Sequence, residues 1–186
     1  MPKRIAILNV ATGKYINYVD QLQESVRSNF LKDCEKHFFL FTDNKEHKPK
    51  EDNSVYYIER KGFPGDTLYR YHYFLLAEEE ILKYDYVYYL DVDMRVVAEI
   101  GDEILEDLVV TMHPGFCGKR GTPETRNQST AYIPDSVLVK YCAGGFNGGT
   151  TQSFMKLART IKANVDKDDE SGIVAIWHDE SHLNRY

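Results

Sequence analysis

The sequence predicts an α/β domain built on a mostly parallel β-sheet. Short apolar runs recur at residues 5–10, 37–41, 55–58 and 86–90. Segments with helical spacing stand between them, at residues 15–30 and 67–82. Strands and helices that alternate at these lengths form parallel sheets.

Taken in order, Ile5 to Val10 reads as a buried strand closed by a turn at Ala11-Thr12-Gly13. Tyr15, Tyr18, Val19, Leu22, Val26 and Phe30 follow at steps of three and four, which predicts a helix. His37-Phe38-Phe39-Leu40-Phe41 is a second buried strand, closed by Thr42-Asp43-Asn44. A polar loop rich in Lys, Glu and Pro leads to a third strand at Val55-Tyr56-Tyr57-Ile58. Gly62-Phe63-Pro64-Gly65-Asp66 is a turn, and a helix runs from Thr67 to about Leu82. Tyr86 to Leu90 is the fourth strand. The second half is less regular: loop-rich over residues 115–134, glycine-rich over 144–149, helical over 151–163 and closed by 177–186. In open α/β sheets ligands bind beyond the carboxyl ends of strands, near a switch point. The residues just after Val10 and just after Leu90 are therefore the places to look.

The 186 residues suit one domain. Lys and Arg number 23 against 29 Asp and Glu, a net charge of −6. That balance argues against broad binding to a nucleic-acid backbone, which needs clustered cations. It leaves room for a small anionic ligand held by a local cation or a metal. A run of about 18 apolar residues, the signature of a transmembrane helix, is missing. Asn9 interrupts the first apolar stretch well short of a signal-peptide core. Cys34, Cys117 and Cys142 are too widely spaced for a CxxC pair and odd in number, so a reducing cytoplasm is expected. Aromatic content is 13%, with 14 Tyr and a single Trp, and packing is expected to absorb most of it.

Four clusters carry chemistry. Asp91-Val92-Asp93 places two carboxylates at i and i+2 after the fourth strand, able to converge on one hard cation such as Mn²⁺ or Mg²⁺. Trp177-His178-Asp179-Glu180-Ser181-His182 puts two histidines at i and i+4, but its H-x-E-x-H order displaces the glutamate from the zinc-peptidase position. The plain alternative is a helix N-terminus capped by Asp179 or Ser181. The sharper one makes Asp179 and Glu180 a substrate-orienting carboxylate pair beside a stacking Trp177. His113-Pro114-Gly115-Phe116 sets a histidine in a turn, where it can meet a hydroxylated ligand. Ala143-Gly144-Gly145-Phe146-Asn147-Gly148-Gly149 permits close backbone approach, without the spacing of a dinucleotide fingerprint or a P-loop.

In this order, together with Gln128-Ser129 and Ala131-Tyr132-Ile133-Pro134, these strings resemble glycosyltransferase family 6, the family of the histo-blood-group A and B transferases. The resemblance covers nearly the whole chain. It implies the GT-A fold as a single catalytic domain over residues 1–186, with a nucleotide-sugar half (1–94) and an acceptor-binding, catalytic half (95–186). It implies retaining transfer of GalNAc or Gal from UDP-GalNAc or UDP-Gal to O3 of a terminal β-galactoside, forming an α-1,3 linkage. Val10, Ala11 and Tyr15 match the stretch that holds uracil and ribose, with Val92 near the ribose. Arg70 matches a donor-binding arginine, and Asp91 and Asp93 match Mn²⁺ ligands. His113 and Trp177 match acceptor contacts. Asp179 matches a residue bonded to donor-sugar hydroxyls. Glu180 matches the carboxylate proposed as nucleophile or as stabiliser of an oxocarbenium-like state, and it also borders the acceptor. Ala143, Gly144 and Gly145 match the segment that sets donor choice, where a small third residue leaves room for an acetamido group; Gly145 therefore points to UDP-GalNAc.

Retention of both aspartates implies dependence on a metal. The family's chain continues beyond the position of Tyr186 into a basic tail that closes over the diphosphate, so with Arg185 and other cations in its place a weaker or more hydrolytic activity is expected. Two other readings stay open at this point. One is a different UDP-sugar transferase of the same fold, separated by a nucleotide-sugar panel. The other is a glycan-binding module, which would bind acceptor without affinity for UDP.

Overall fold

In the computed structural model, which describes residues 2–137 and 139–186, the four predicted strands are β1 (Arg4–Ala11), β2 (Glu35–Thr42), β3 (Asn53–Tyr57) and β4 (Tyr86–Leu90). Two more follow, β5 (Val109–Met112) and β6 (Cys142–Thr150). They make one sheet in the order β3-β2-β1-β4-β6-β5. The first four are mutually parallel, while β6 runs antiparallel to β4 and β5 antiparallel to β6. This mixed α/β architecture is that of a GT-A-like fold. The helices are α1 (Val19–Asn29), α2 (Gly65–Leu68), α3 (Arg70–Leu75), α4 (Glu78–Ile81), α5 (Thr151–Glu170) and α6 (His178–Arg185).

Both sheet faces are covered, which is why the parallel strands read as continuous apolar runs. Along β1, Ala6 and Leu8 face a core with Phe39, Phe41, Tyr71, Phe74, Phe154 and Leu157. Ile5 and Ile7 face the opposite core, with Val19, Leu22, Val26, Phe38 and Leu40. Asn9, fully buried in that strand, donates from Nδ2 to the carbonyl of Leu90 at 3.0 Å. It thereby satisfies the last carbonyl of β4, where the chain leaves the sheet for Asp91. Packing also absorbs tyrosines: Tyr71, Tyr88, Tyr89 and Tyr141 are fully buried.

The structure differs from the pattern-based expectations in four places. The first helix begins at Val19, after a 3₁₀ segment at Gly13–Tyr18. Tyr15 and Tyr18 stay exposed, so no apolar face holds that first turn into the α-helix. The expected helix over 67–82 is broken at Tyr69 and Ala77. Leu68, Arg70, Tyr71, Tyr73, Phe74, Ala77 and Ile81 are all buried, a set too wide for one face of a straight helix. The glycine-rich residues 144–149, to which the pattern assigns no element, lie within strand β6. A Cβ on Gly148 would stand 2.4 Å from the Val87 carbonyl oxygen, so a glycine there lets β6 lie flush on β4. Helix α5 runs on to Glu170 because Val165 and Asp168 continue its buried stripe. Edge strand β5 is mostly exposed and shows no alternation to read. Among the described residues no helix is long and apolar enough to cross a membrane.

Candidate functional site

The chain goes from β1 to β2 on one side of β1, while β4 lies on its other side. Beyond the carboxyl ends of β1 and β4, at this switch point, a cavity of about 540 Å³ opens between Val10, Tyr15, Arg60, Arg70, Val92 and Asp93. Its walls are tied together by Asp66, in the first turn of α2. Asp66 accepts hydrogen bonds from the Thr12 hydroxyl (2.8 Å) and from the backbone N–H groups of Lys61 (2.7 Å) and Gly62 (3.1 Å). Asp43, at the end of β2, accepts from the backbone N–H of Gly13 at 2.9 Å. A smaller cavity of about 170 Å³ adjoins it, lined by Gly144, Gly145 and residues 177–180. The two share Thr67, Arg70 and Asp91 as a common wall.

Arg70 is the centre of that wall. It is 7% exposed, stands where α3 begins, and lies 4.4 Å over the Tyr89 ring. Its Nη2 pairs with Asp91 Oδ1 at 3.2 Å and its Nη1 with Asp179 Oδ2 at 3.1 Å. Nη1 also donates to the Gly144 carbonyl at 3.2 Å. One guanidinium thus links β4, β6 and α6, the fixed fork geometry that suits arginine to such a post. The Tyr89 hydroxyl donates to Asp91 as well. Burial, chiefly, raises Asp179 to about 7; Arg70 pulls it down, while Asp91 and Glu180 push it further up. Burial and the neighbouring Arg70 lower His178, which is therefore neutral at pH 7.

Glu180 stands on the facing wall. Its Oε1 accepts from the Tyr141 hydroxyl at 2.8 Å and its Oε2 from the backbone N–H of Gly144 at 2.8 Å. Helix α6 begins without a side-chain cap; Ser181 instead accepts from the Trp177 N–H at 3.0 Å. The capping expected of Asp179 or Ser181 is thus replaced by a bond running backwards to the residue before the helix. The approach to α6 is fixed by Glu124, buried in the loop before β6, which accepts from the Ile176 N–H at 2.8 Å and pairs with Arg126 at 2.6 Å. The Arg126 hydrogen bond, more than any other influence, holds Glu124 down to about 2.

Of the residues singled out from sequence, the larger cavity gathers Val10, Tyr15, Arg70, Asp91, Val92 and Asp93. The smaller one gathers Gly144, Gly145, Trp177, Asp179 and Glu180, with Arg70 and Asp91 again. Ala11 is fully buried and lines neither cavity. Ala143 and His113 line neither cavity. His113 Nδ1 accepts from the Gly115 N–H at 3.1 Å, which leaves Nε2 to meet a partner. His113 nonetheless packs 5.9 Å from Tyr141, the tyrosine that holds Glu180. His182 is fully buried 3.8 Å from Asp168, away from any open zinc site. Trp177 is 46% exposed and free to stack. Sequence reasoning did not single out Tyr89, Tyr141, Glu124, Asp66 or Arg60. The only available signal was an Arg-x-Gly-Phe-Pro-Gly-Asp string at the turn before α2.

Among the described residues no three His, Cys, Asp or Glu side chains converge as a ready-made metal site. Asp91 and Asp93 still fit a hard cation of the kind that takes its remaining oxygens from a diphosphate and water. Asp93 is exposed and Asp91 half-exposed at the mouth of the larger cavity. Gly145 keeps that position open: a Cβ there would lie 2.9 Å from Asp91 Oδ2.

The sequence profile of glycosyltransferase family 6 matches residues 72–186. The chain is 29% identical to globoside alpha-1,3-N-acetylgalactosaminyltransferase 1 of Gallus gallus, over 98% of this chain and 57% of that protein. It is 30% identical to histo-blood group ABO system transferase 1 of Rattus norvegicus, over 98% and 56%. It is 29% identical to the O-antigen biosynthesis glycosyltransferase WbnI of Escherichia coli, over 98% and 81%. The chain thus spans little more than half the length of the two vertebrate relatives.

Proposed function

Since the chain belongs to glycosyltransferase family 6, we propose that it moves a hexose, GalNAc in preference to Gal, from a UDP-sugar to O3 of a terminal β-galactoside with retention of the α configuration. One observation carries the reading. A nucleotide-sized and a sugar-sized cavity share the wall formed by Arg70 and Asp91, and Glu180 is held on the side facing it. That is the layout a nucleotide sugar requires, with its diphosphate at the shared wall. The relatives whose names specify alpha-1,3-N-acetylgalactosaminyl transfer support the same chemistry.

In this reading residues 1–94 form the donor half and 95–186 the acceptor half. Val10, Tyr15 and Val92 bind uracil and ribose, with Ala11 packed in the strand end beside them. Asp91 and Asp93 would hold Mn²⁺, or Mg²⁺ in its place, and the chemistry that ion supplies is neutralisation of charge on the departing UDP. Arg70 fixes the donor through hydroxyl or phosphate oxygens with its two-nitrogen fork. Asp179, already oriented by Arg70, accepts from donor-sugar hydroxyls. Glu180 stabilises positive charge developing at the anomeric carbon, as carboxylates do in glycoside hydrolysis. Gly144 and Gly145, next to Ala143, bound the acetamido group, and Gly145 adds no side chain to crowd it. His113 Nε2 and the Trp177 ring receive the acceptor galactose. The three cysteines are all free, which suits a reducing cytoplasm.

The test is a nucleotide-sugar panel with a β-galactoside acceptor and Mn²⁺. The expected result is UDP release fastest from UDP-GalNAc, then UDP-Gal, with little from UDP-Glc. A preference for UDP-Glc would replace the reading with a different transferase, and acceptor binding with no affinity for UDP would replace it with a glycan-binding module.

A further inference from the structure

We infer that Tyr141 is a positioning residue for the transfer step, its phenol holding Glu180 in the orientation the anomeric carbon requires. The inference rests on the reading of Glu180 proposed above and deepens it.

Glu180 is the third residue of α6, and its carboxylate is gripped at both oxygens. The Tyr141 O–H donates to Oε1 and the Gly144 N–H to Oε2, each at 2.8 Å. Two donors on two oxygens fix the plane of a carboxylate as well as its position. A group that stabilises positive charge in a transition state must be ionised and already aimed, since reorienting it during the reaction costs rate. Removing the phenol oxygen leaves one grip, and the carboxylate is then free to swing about the bond that carries it.

Tyr141 is built to keep its own aim. It is 1% exposed and directly precedes β6. Its ring packs edge-on to Phe116 at 5.3 Å and beside His113 at 5.9 Å. The Gly121 backbone presses on it so closely that a Cβ there would lie 2.4 Å from the Tyr141 Cγ. The segment from His113 to Gly121 thus clamps the ring while its hydroxyl reaches Glu180. One side chain spans the segment expected to meet the acceptor and the carboxylate expected to serve the donor.

The experiment compares wild type, Tyr141→Phe, Glu180→Gln and the double variant, by steady-state transfer from UDP-GalNAc to a β-galactoside. For Tyr141→Phe, kcat is expected to fall about tenfold or more while the donor KM stays within about twofold. In the Glu180→Gln background the same change should have almost no further effect, because its route of action is gone. Placing 4-aminophenylalanine at position 141 keeps the ring and a donor, and should restore most of the lost kcat. That rescue separates hydrogen bonding from packing even where Tyr141→Phe lowers stability. An unchanged kcat in Tyr141→Phe, an equal loss in both backgrounds, or no rescue overturns the inference and leaves the proposed function standing. A wild-type protein that turns over no UDP-sugar overturns that function, and this inference falls with it.

Discussion

Arg70 Nη1 lies 3.1 Å from Asp179 Oδ2, and both side chains are buried. This contact joins α6 to the start of α3, and so fastens the helix that carries Glu180 to the wall that carries Asp91. Breaking a buried ion pair from one side leaves an uncompensated charge. Arg70→Lys keeps the charge but loses the fork that reaches Asp91 and Asp179 together. It is expected to lower the urea-unfolding midpoint, and to weaken UDP-sugar binding in calorimetry. An unchanged midpoint with unchanged donor affinity would show that the bridge is idle.

Gly145 offers a second test. A methyl group there meets Asp91 Oδ2 at 2.9 Å and the Met94 sulfur at 3.5 Å. Gly145→Ala must therefore shift the Asp91 carboxylate. The predicted kcat/KM falls for both UDP-GalNAc and UDP-Gal, and further for UDP-GalNAc, whose acetamido group loses space. An equal loss for the two donors would assign this glycine to Asp91 alone.

The third test concerns the cation. Asp93 is exposed and makes no ion pair among the described residues, so Asp93→Asn should leave the melting temperature unchanged. In titration calorimetry UDP should bind the wild type more tightly with Mn²⁺ than with EDTA, and Asp93→Asn should lose that gain. UDP affinity indifferent to EDTA in the wild type would remove the metal from the proposal.

Acid stability follows from Glu124. Its native value is about 2, below the ordinary 4.5, because it accepts from Arg126. A depressed carboxylate contributes stability that is fully present above the unfolded value and is lost as pH falls through the native one. The wild type should therefore lose on the order of 2–3 kcal/mol from this group between about pH 4.5 and pH 2. Glu124→Gln should lack that slope, start less stable at pH 7, and loosen the approach to α6 through Ile176. Parallel acid-unfolding curves for the two proteins would contradict this.

Much of the fold was legible because β1, β2 and β4 are buried on both faces, which prints an unbroken apolar run into the chain. Strand β6 was not, since the close contact at Gly148 demands a residue with no side chain to pattern. The helix over 67–82 was misjudged as continuous because periodicity does not register how many faces must be buried. At the site, Asp91, Asp179 and Glu180 stood out as charged residues in unusual strings. Tyr141 did not: it is one of 14 tyrosines, and its partner Glu180 is 39 residues away in sequence. Glu124 likewise reaches α6 through the Ile176 backbone N–H, a contact that leaves no trace in the sequence.

The central claim is retaining transfer from a UDP-sugar by the wall and carboxylate described above. The most direct measurement is NMR of the product formed from UDP-GalNAc, Mn²⁺ and a β-galactoside. The account predicts one new GalNAc residue, α-linked at O3 of the galactose, formed far more slowly when Glu180 is replaced by Gln. A β-linked product, or full transfer by Glu180→Gln, would contradict it.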